Sequence, residues 1–155
     1  MTNKDLISQY VDTGMGIPEY QVNQLSNNDK KTYIRKRWLS IKNGRETLSD
    51  FEIKLLSDEQ KYIYNEDKIV RGFVITDYAY SLINDKLKEI YQRQILNKPA
   101  RYMAISIKQY SELPNVKQKD DLKQELLRYF NVLIDTGWVI KPREVEFKKY
   151  LENEQ

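Results

Sequence analysis

The sequence predicts a mainly α protein, a compact bundle of six to eight helices with at most one or two short strands. Charged residues make up 32% of the chain and hydrophobic residues 40%, which is typical of a folded helical protein. Five Gly and four Pro provide few of the turns that a many-stranded sheet needs. A single domain over residues 1–155 is expected. The alternative is an N-terminal helical half (1–68) and a C-terminal helical half (76–155) that share one core.

The N-terminal part of the chain shows three helix signals in succession. A short helix is predicted over Asn3–Asp12, with Gly14 as its C-terminal cap. Pro18 suits the first position of a second short helix. Ser26, followed three residues later by Asp29, is a capping-box pattern that starts a third helix, which extends to position 42.

Two further capping patterns follow in an acidic segment. Ser49 precedes Glu52 by three residues, and Ser57 precedes Gln60 by the same spacing, so a helix is expected to start at each serine. The segment Thr47–Val70 holds six acidic and three basic residues, a net charge of −3.

The middle of the chain combines a β-rich run with a long helical pattern. Ile69–Ile75 contains Gly72 and is predicted to be a short strand or an extended connector. Thr76–Leu96 is predicted to be one helix, whose a/d-like apolar stripe forms either core or a dimer interface through residues 77–96. The residues of that stripe are Tyr80, Ile83, Leu87 and Ile90.

The C-terminal part contains the strongest amphipathic pattern. Arg101–Tyr110 is ambiguous between strand and helix, whereas Lys117–Asp135 is predicted to be the central core helix, capped by Gly137. Trp138–Ile140 is expected to be a short strand or arm, and Arg143–Leu151 a final helix. The predicted core residues are Leu126, Phe130 and Leu133, packed near Ile83, Leu87 and Ile90.

Composition limits the classes of function. The chain has no Cys and no His, which excludes thiol chemistry and removes the commonest general base and metal ligand. No phosphate-binding glycine loop is present, so we expect no enzyme activity, no cofactor and no metal. No apolar run reaches the length of a membrane helix, so a cytoplasmic protein without a membrane partner is expected. Twelve Tyr, together with abundant Lys, Asn and Ile, favour a bacterial, phage or plasmid origin.

The helix predicted over Asn27–Lys42 carries the main candidate site. The window Asn27–Glu46 has seven basic residues against two acidic ones, a net charge of +5, while the whole chain has a net charge of +3. Cations flanked by aromatic rings suit a phosphate backbone and its bases. The candidate nucleic-acid-binding residues within 30–45 are Lys30, Lys31, Arg35, Lys36, Arg37, Trp38, Lys42 and Arg45.

Two hypotheses follow for the function. The first is a small intracellular regulatory or accessory protein that binds nucleic acid, including DNA, through this basic helix. The alternative is a protein-interaction module, a helical adaptor or inhibitor, that makes no nucleic-acid contact. In the alternative, the basic helix pairs its charges with the neighbouring acidic helices or leaves them solvated.

Asp-Thr-Gly occurs twice, at residues 12–14 and 135–137. This tripeptide is also found in pepsin-like aspartic proteases, where two carboxylates share a proton. Here both copies end helical patterns, so we interpret the glycines as left-handed caps and predict that Asp12 and Asp135 are not a catalytic pair. With no fixed period between the two copies, coincidence explains the echo better than duplication.

Overall fold

In the computed structural model the chain is mainly α, which confirms the predicted fold class, and the structure describes residues 14–41, 46–137 and 141–154. These ranges contain nine α-helices, one 3-10 helix at Pro99–Arg101 and no strand. The α-helices are α1 (Glu19–Val22), α2 (Asn27–Ile41), α3 (Asp50–Leu55), α4 (Asp58–Val70), α5 (Asp77–Leu82), α6 (Asp85–Asn97), α7 (Ile107–Ser111), α8 (Lys117–Asp135) and α9 (Pro142–Asn153).

The chain divides into two compact units, and the boundary lies within α4. The first unit ends at Tyr64 and the second begins at Asn65. The helices α1 to α3 and the start of α4 belong to the first unit, and the remaining helices belong to the second.

The single helix predicted over Thr76–Leu96 is wrong, because α5 and α6 are separate helices. Ile83 has an extended backbone (φ −82°, ψ 150°) and ends α5. The side chain of Asn84 then caps α6 by accepting a 2.9 Å hydrogen bond from the backbone N–H of Leu87. The apolar spacing continues through this break. The Asn84 side chain nevertheless favours the start of a new helix, because its oxygen accepts a hydrogen bond from a backbone N–H of the first turn of α6.

The apolar stripe that was predicted on this segment is core and not an exposed dimer interface. Tyr80, Ile83 and Leu87 are buried, and Ile90 is half-buried. Residues 77–96 therefore do not present one continuous apolar helix face to a partner.

The two segments with ambiguous patterns contain no strand in the described part of the chain. In Ile69–Ile75, α4 continues to Val70, Gly72 turns the chain with a positive φ of 83°, and an extended connector follows. In Arg101–Tyr110, Arg101 is the last residue of the 3-10 helix, and α7 begins at Ile107 and continues past Tyr110 to Ser111. The segments predicted at Asn3–Asp12 and Trp138–Ile140 lie outside the described residues.

The predicted caps of α2 and α4 are confirmed. Ser26 Oγ accepts a hydrogen bond from the N–H of Asp29 at 3.2 Å. At the start of α4, Ser57 and Gln60 exchange hydrogen bonds, since each side chain accepts from the backbone N–H of the other. This reciprocal arrangement satisfies two helix-end donors at once. Gly137 follows α8 in a left-handed conformation (φ 73°), in agreement with its prediction as a cap. Gly14 is also left-handed (φ 74°), but the helix that it was predicted to cap lies outside the described residues.

The first eight helices, α1 to α8, form four successive pairs with a common spacing. Each pair begins with a buried aliphatic residue, then a short helix, a break and a longer helix. A second buried residue follows the first by five positions in every pair. The four leading residues are Ile17, Leu48, Ile75 and Ile105, and the four that follow are Val22, Ile53, Tyr80 and Tyr110.

A buried tyrosine closes each of the first three pairs. It stands on the longer helix, sixteen residues after the leading residue, and its hydroxyl accepts a hydrogen bond from that residue's backbone N–H. The three bonds are Ile17 to Tyr33 (3.2 Å), Leu48 to Tyr64 (2.7 Å) and Ile75 to Tyr91 (3.2 Å). In the fourth pair, Ile105 N–H donates to the backbone oxygen of Tyr102 instead.

This repetition was not predicted from the sequence. The leading residues are separated by 31, 27 and 30 positions, so the repeat has no fixed period that a search would detect. The sequence does contain one sign of the repeat. An aliphatic residue followed by a capping residue precedes the longer helix in the first three pairs, as in Leu25-Ser26, Leu56-Ser57 and Ile83-Asn84. The repeated helix pairs are unrelated to the two Asp-Thr-Gly tripeptides.

The core of the second unit lies around the first four turns of α8. Leu122, Leu126 and Phe130 are buried, and the ring of Phe130 packs edge-on against Phe147 of α9 with 5.7 Å between centroids. Phe147 in turn contacts Tyr110 at the same centroid distance.

The predicted burial of Leu133 is only partly correct. Leu133 is half-buried, while Val132 and Ile134 are 52% and 45% exposed. The burial of α8 therefore decreases towards its C-terminal end, so an apolar pattern on the helix does not ensure burial there.

We expect Leu126→Ala to lower the free energy of unfolding by about 2–5 kcal/mol, because it leaves a cavity where a fully buried leucine packs. Val132→Ala on the exposed end of the same helix is the matched control and should change stability by less than about 1 kcal/mol. Urea denaturation measures both. An unchanged midpoint for Leu126→Ala would contradict the assignment of α8 to the core.

Tyr91→Phe tests the tyrosine hydrogen bonds. The Tyr91 hydroxyl accepts from Ile75 N–H and donates to Gln109 Oε1 at 2.7 Å, so its removal leaves a buried donor and a buried acceptor unpaired. We expect a loss of about 1–3 kcal/mol in thermal or urea unfolding. Tyr20→Phe, at a tyrosine that is 65% exposed, should be nearly neutral, and equal effects of the two variants would contradict the prediction.

Candidate nucleic-acid interface

The basic residues of α2 lie on different sides of the helix. Lys31 and Arg35 are exposed and one turn apart, and Lys36 is half-buried on the adjoining flank. Lys30 is half-buried and lies seven residues before Arg37, on the same side of the helix as Arg37. We define the basic surface as Lys31, Arg35 and Lys36.

The basic surface has no acidic partner within the described ranges. Lys31, Arg35 and Lys36 form no ion pair there. Exposed arginines elsewhere do: Arg93 pairs with Glu89, and Arg128 pairs with Glu125, each at 2.8 Å. Three cations on one helix that form no ion pair in the described residues produce a local positive potential at the surface.

Arg37 is not part of this surface. Only 6% of the residue is exposed, and its Nε donates to Glu52 Oε2 at 2.8 Å. Its Nη1 donates to the backbone oxygen of Gly14 at 3.2 Å and lies 3.4 Å from Glu46 Oε2. With its donors directed at these acceptors, Arg37 is not available for a phosphate contact.

Ile34, Trp38 and Ile41 recur at helical spacing and form the apolar side of α2. Ile34 and Ile41 are buried, and Trp38 is half-buried. The indole ring of Trp38 therefore presents only part of its face to solvent. Lys42 and Arg45 lie outside the described residues, so they remain predictions.

The partner of Arg37 is the carboxylate of Glu52, each of whose oxygens accepts two hydrogen bonds. Its Oε2 accepts from Arg37 and from the Tyr33 hydroxyl at 2.7 Å. Its Oε1 accepts from both the backbone N–H and the hydroxyl of Ser49, at 3.1 and 2.9 Å. Sequence reasoning identified Glu52 only as a capping residue of α3, and no local pattern links it to Arg37.

Burial and hydrogen bonding shift the pKa values of this cluster. Burial alone would raise the pKa of Glu52, but the hydrogen bonds from Arg37, Tyr33 and Ser49 outweigh it and lower that pKa. Burial, reinforced by the hydrogen bond to Glu52, raises the pKa of Tyr33 to about 12.

Gly16 provides the space that the Arg37 side chain occupies. A Cβ at this glycine would lie 3.2 Å from both Cζ and Nη2 of Arg37. The segment before α1 is thus shaped around the buried guanidinium, a role for Gly16 that the sequence did not indicate.

The remaining sequence motifs assemble no further site within the described residues. Asp135 is exposed at the end of α8, and Asp12 lies outside the described ranges, so their separation stays a prediction. No group of three or more His, Cys, Asp or Glu side chains is arranged to hold a metal ion there. Across the same residues, no helix is long and apolar enough to cross a membrane.

Comparison of the chain with protein-family models, curated proteins and solved structures gives no match.

The lowered pKa of Glu52 predicts how stability depends on pH. Its contribution is complete above the pKa of an unfolded glutamate, about 4.3, and is lost as pH falls through the lower folded-state value. Glu52→Gln should therefore be less stable near pH 7, by about 3 kcal/mol. Its free energy of unfolding should also fall less steeply than that of the native protein as pH drops below about 5.

Urea unfolding at a series of pH values measures this difference. Glu66→Gln, which removes an exposed carboxylate, is the control and should retain the native pH profile. Parallel profiles for the native protein and Glu52→Gln would contradict the assignment.

Proposed function

We propose that the chain is a regulatory or accessory protein that binds the phosphate backbone of nucleic acid through Lys31, Arg35 and Lys36. The observation that carries this proposal is the absence of an acidic partner for these three cations in the described residues. Cations that are not already neutralised gain most from a phosphate backbone, because binding releases condensed counterions.

The spacing on α2 supports contact with one strand. Lys31 and Arg35 are one turn apart, or about 6 Å along the helix axis. A duplex presents one phosphate per about 3.4 Å of axis on each strand. The two side chains can therefore reach phosphates roughly two positions apart.

The burial of Arg37 and the partial burial of Trp38 favour binding that is independent of base sequence. The burial of Arg37 removes a side chain that could hydrogen-bond to guanine, and the partial burial of Trp38 limits its stacking on a base. Contacts of the remaining cations with phosphate carry no sequence information. We propose a binding role without catalysis, in the cytoplasm, and a bacterial, phage or plasmid origin as residue usage favours.

A protein-interaction role is the second candidate, and a different surface favours it. The exposed side of α4 carries the apolar residues Tyr62, Ile63 and Val70, which are 46%, 43% and 66% exposed. Large apolar side chains that recur on one exposed helix face are common at protein interfaces.

The proposed function predicts salt-dependent binding to any duplex. With three phosphate contacts, log K against log salt should have a slope of about −3, and Lys31→Ala/Arg35→Ala should reduce its magnitude by about two. The change should be the same for duplexes of unrelated sequence. Gel shifts at about 50 mM salt and above measure the slope.

The matched control is Lys86→Ala/Lys108→Ala, which removes two exposed lysines from other helices and the same net charge. It should leave the slope nearly unchanged, and thermal melts should show that both double variants fold. Absence of binding at about 50 mM salt, or equal slopes for the two variants, would contradict the proposed function.

A further inference from the structure

The exposed face of α4 combines acidic and apolar side chains in one stripe. At about 100° per residue its members all fall within about 100° around the helix axis, so they project from the same side. Every one of them is exposed, and Val70 is 66% exposed. We define the α4 stripe as Glu59, Tyr62, Ile63, Glu66 and Val70.

The helix α2 presents an equivalent stripe of opposite charge. Tyr33 and Tyr64 occupy the same position in the first two helix pairs, so each residue of α2 corresponds to the α4 residue 31 positions later. The α2 stripe obtained in this way is Asn28, Lys31, Thr32, Arg35 and Leu39. All are exposed except Thr32, which is half-buried, and Leu39 is 66% exposed.

The two stripes carry opposite charges, with two basic residues on α2 and two acidic residues on α4. Arg35 corresponds to Glu66, and Lys31 corresponds to Tyr62, a position between Glu59 and Glu66. At the far end of each stripe stands one aliphatic residue of equal exposure, Leu39 on α2 and Val70 on α4. Opposite charges and a shared apolar end are what two helices need in order to pack face to face.

We propose that the α4 stripe of one chain binds the α2 stripe of a second copy of this chain. The contact is heterologous, because each chain contributes a different surface, and it leaves the other stripe of each chain available for a further copy. The inference goes beyond the proposed function, since it assigns a partner to α4 and makes that partner compete with nucleic acid for Lys31 and Arg35.

The strength of this contact should be modest. Two single helix faces make an interface smaller than the standard size, so we expect a dissociation constant of about 10–100 μM. Because two acidic and two basic side chains contribute, the affinity should fall as the salt concentration rises.

Sedimentation of the full chain with paired charge reversals tests the proposal. One variant, Glu59→Lys/Glu66→Lys, has two basic stripes, and the other, Lys31→Glu/Arg35→Glu, has two acidic stripes. Each alone should associate at least about tenfold more weakly than the native chain. An equimolar mixture should recover association, because each basic stripe again meets an acidic one.

Glu112→Lys/Glu146→Lys is the matched control, since it makes the same charge change at exposed positions outside both stripes. It should associate as the native chain does. The proposal is overturned if the native chain stays monomeric up to about 300 μM at low salt. It is also overturned if either reversal associates normally, or if the mixture stays monomeric while circular dichroism shows both variants folded.

The same variants separate this inference from the proposed function. Glu59→Lys/Glu66→Lys leaves the basic surface intact, so it should still shift a duplex in a gel while it fails to self-associate. Loss of self-association with retained duplex binding supports both proposals. If the native chain self-associates but shifts no duplex, only the nucleic-acid proposal is overturned.

Discussion

The first unit depends on the hydrogen bonds that the buried carboxylate of Glu52 accepts. This carboxylate accepts four hydrogen bonds, two from Tyr33 and Arg37 on α2 and two from Ser49 at the start of α3. A buried carboxylate is stable only when its oxygens are saturated and its charge is compensated. These donors come from α2 and from Ser49, the residue before α3, while Glu52 itself is part of α3. The one group therefore fixes how the two helices meet, and the Tyr33 hydroxyl extends the network to the backbone of Ile17.

The second unit meets the same requirement with an uncharged group. Gln109 stands four residues after Ile105, as Glu52 stands four residues after Leu48. Its Oε1 accepts from the Tyr91 hydroxyl, and its Nε2 donates to the backbone oxygen of Ile75 at 2.8 Å. An amide supplies both donor and acceptor and carries no charge, so no buried cation is needed. Equivalent positions in the two units thus perform the same bridging role with different electrostatics.

The ion pair with Glu52 gives Arg37 a different role from the other basic residues of α2. Arg37 compensates Glu52 in the interior, whereas Lys31 and Arg35 remain at the surface without an acidic partner in the described residues. Residues that are adjacent in sequence and alike in charge therefore belong to different interactions. The available surface is narrower than the run suggests, and its free cations lie beside exposed Leu39.

The sequence by itself determined the helical class, the start of α2, the bounds of α8, and the caps at Ser26 and Ser57. These features depend on contacts within three or four residues, which local spacing records. It also identified the exposed cations Lys31 and Arg35. Only the tertiary structure decided that Arg37 is buried, because its partner Glu52 lies fifteen residues away and nothing local specifies the pairing. The four helix pairs were hidden for a related reason. The tyrosine hydrogen bonds of the first three pairs span sixteen residues, and the connections between the pairs differ in length. The repetition therefore lies in three-dimensional contacts and not in a fixed sequence period.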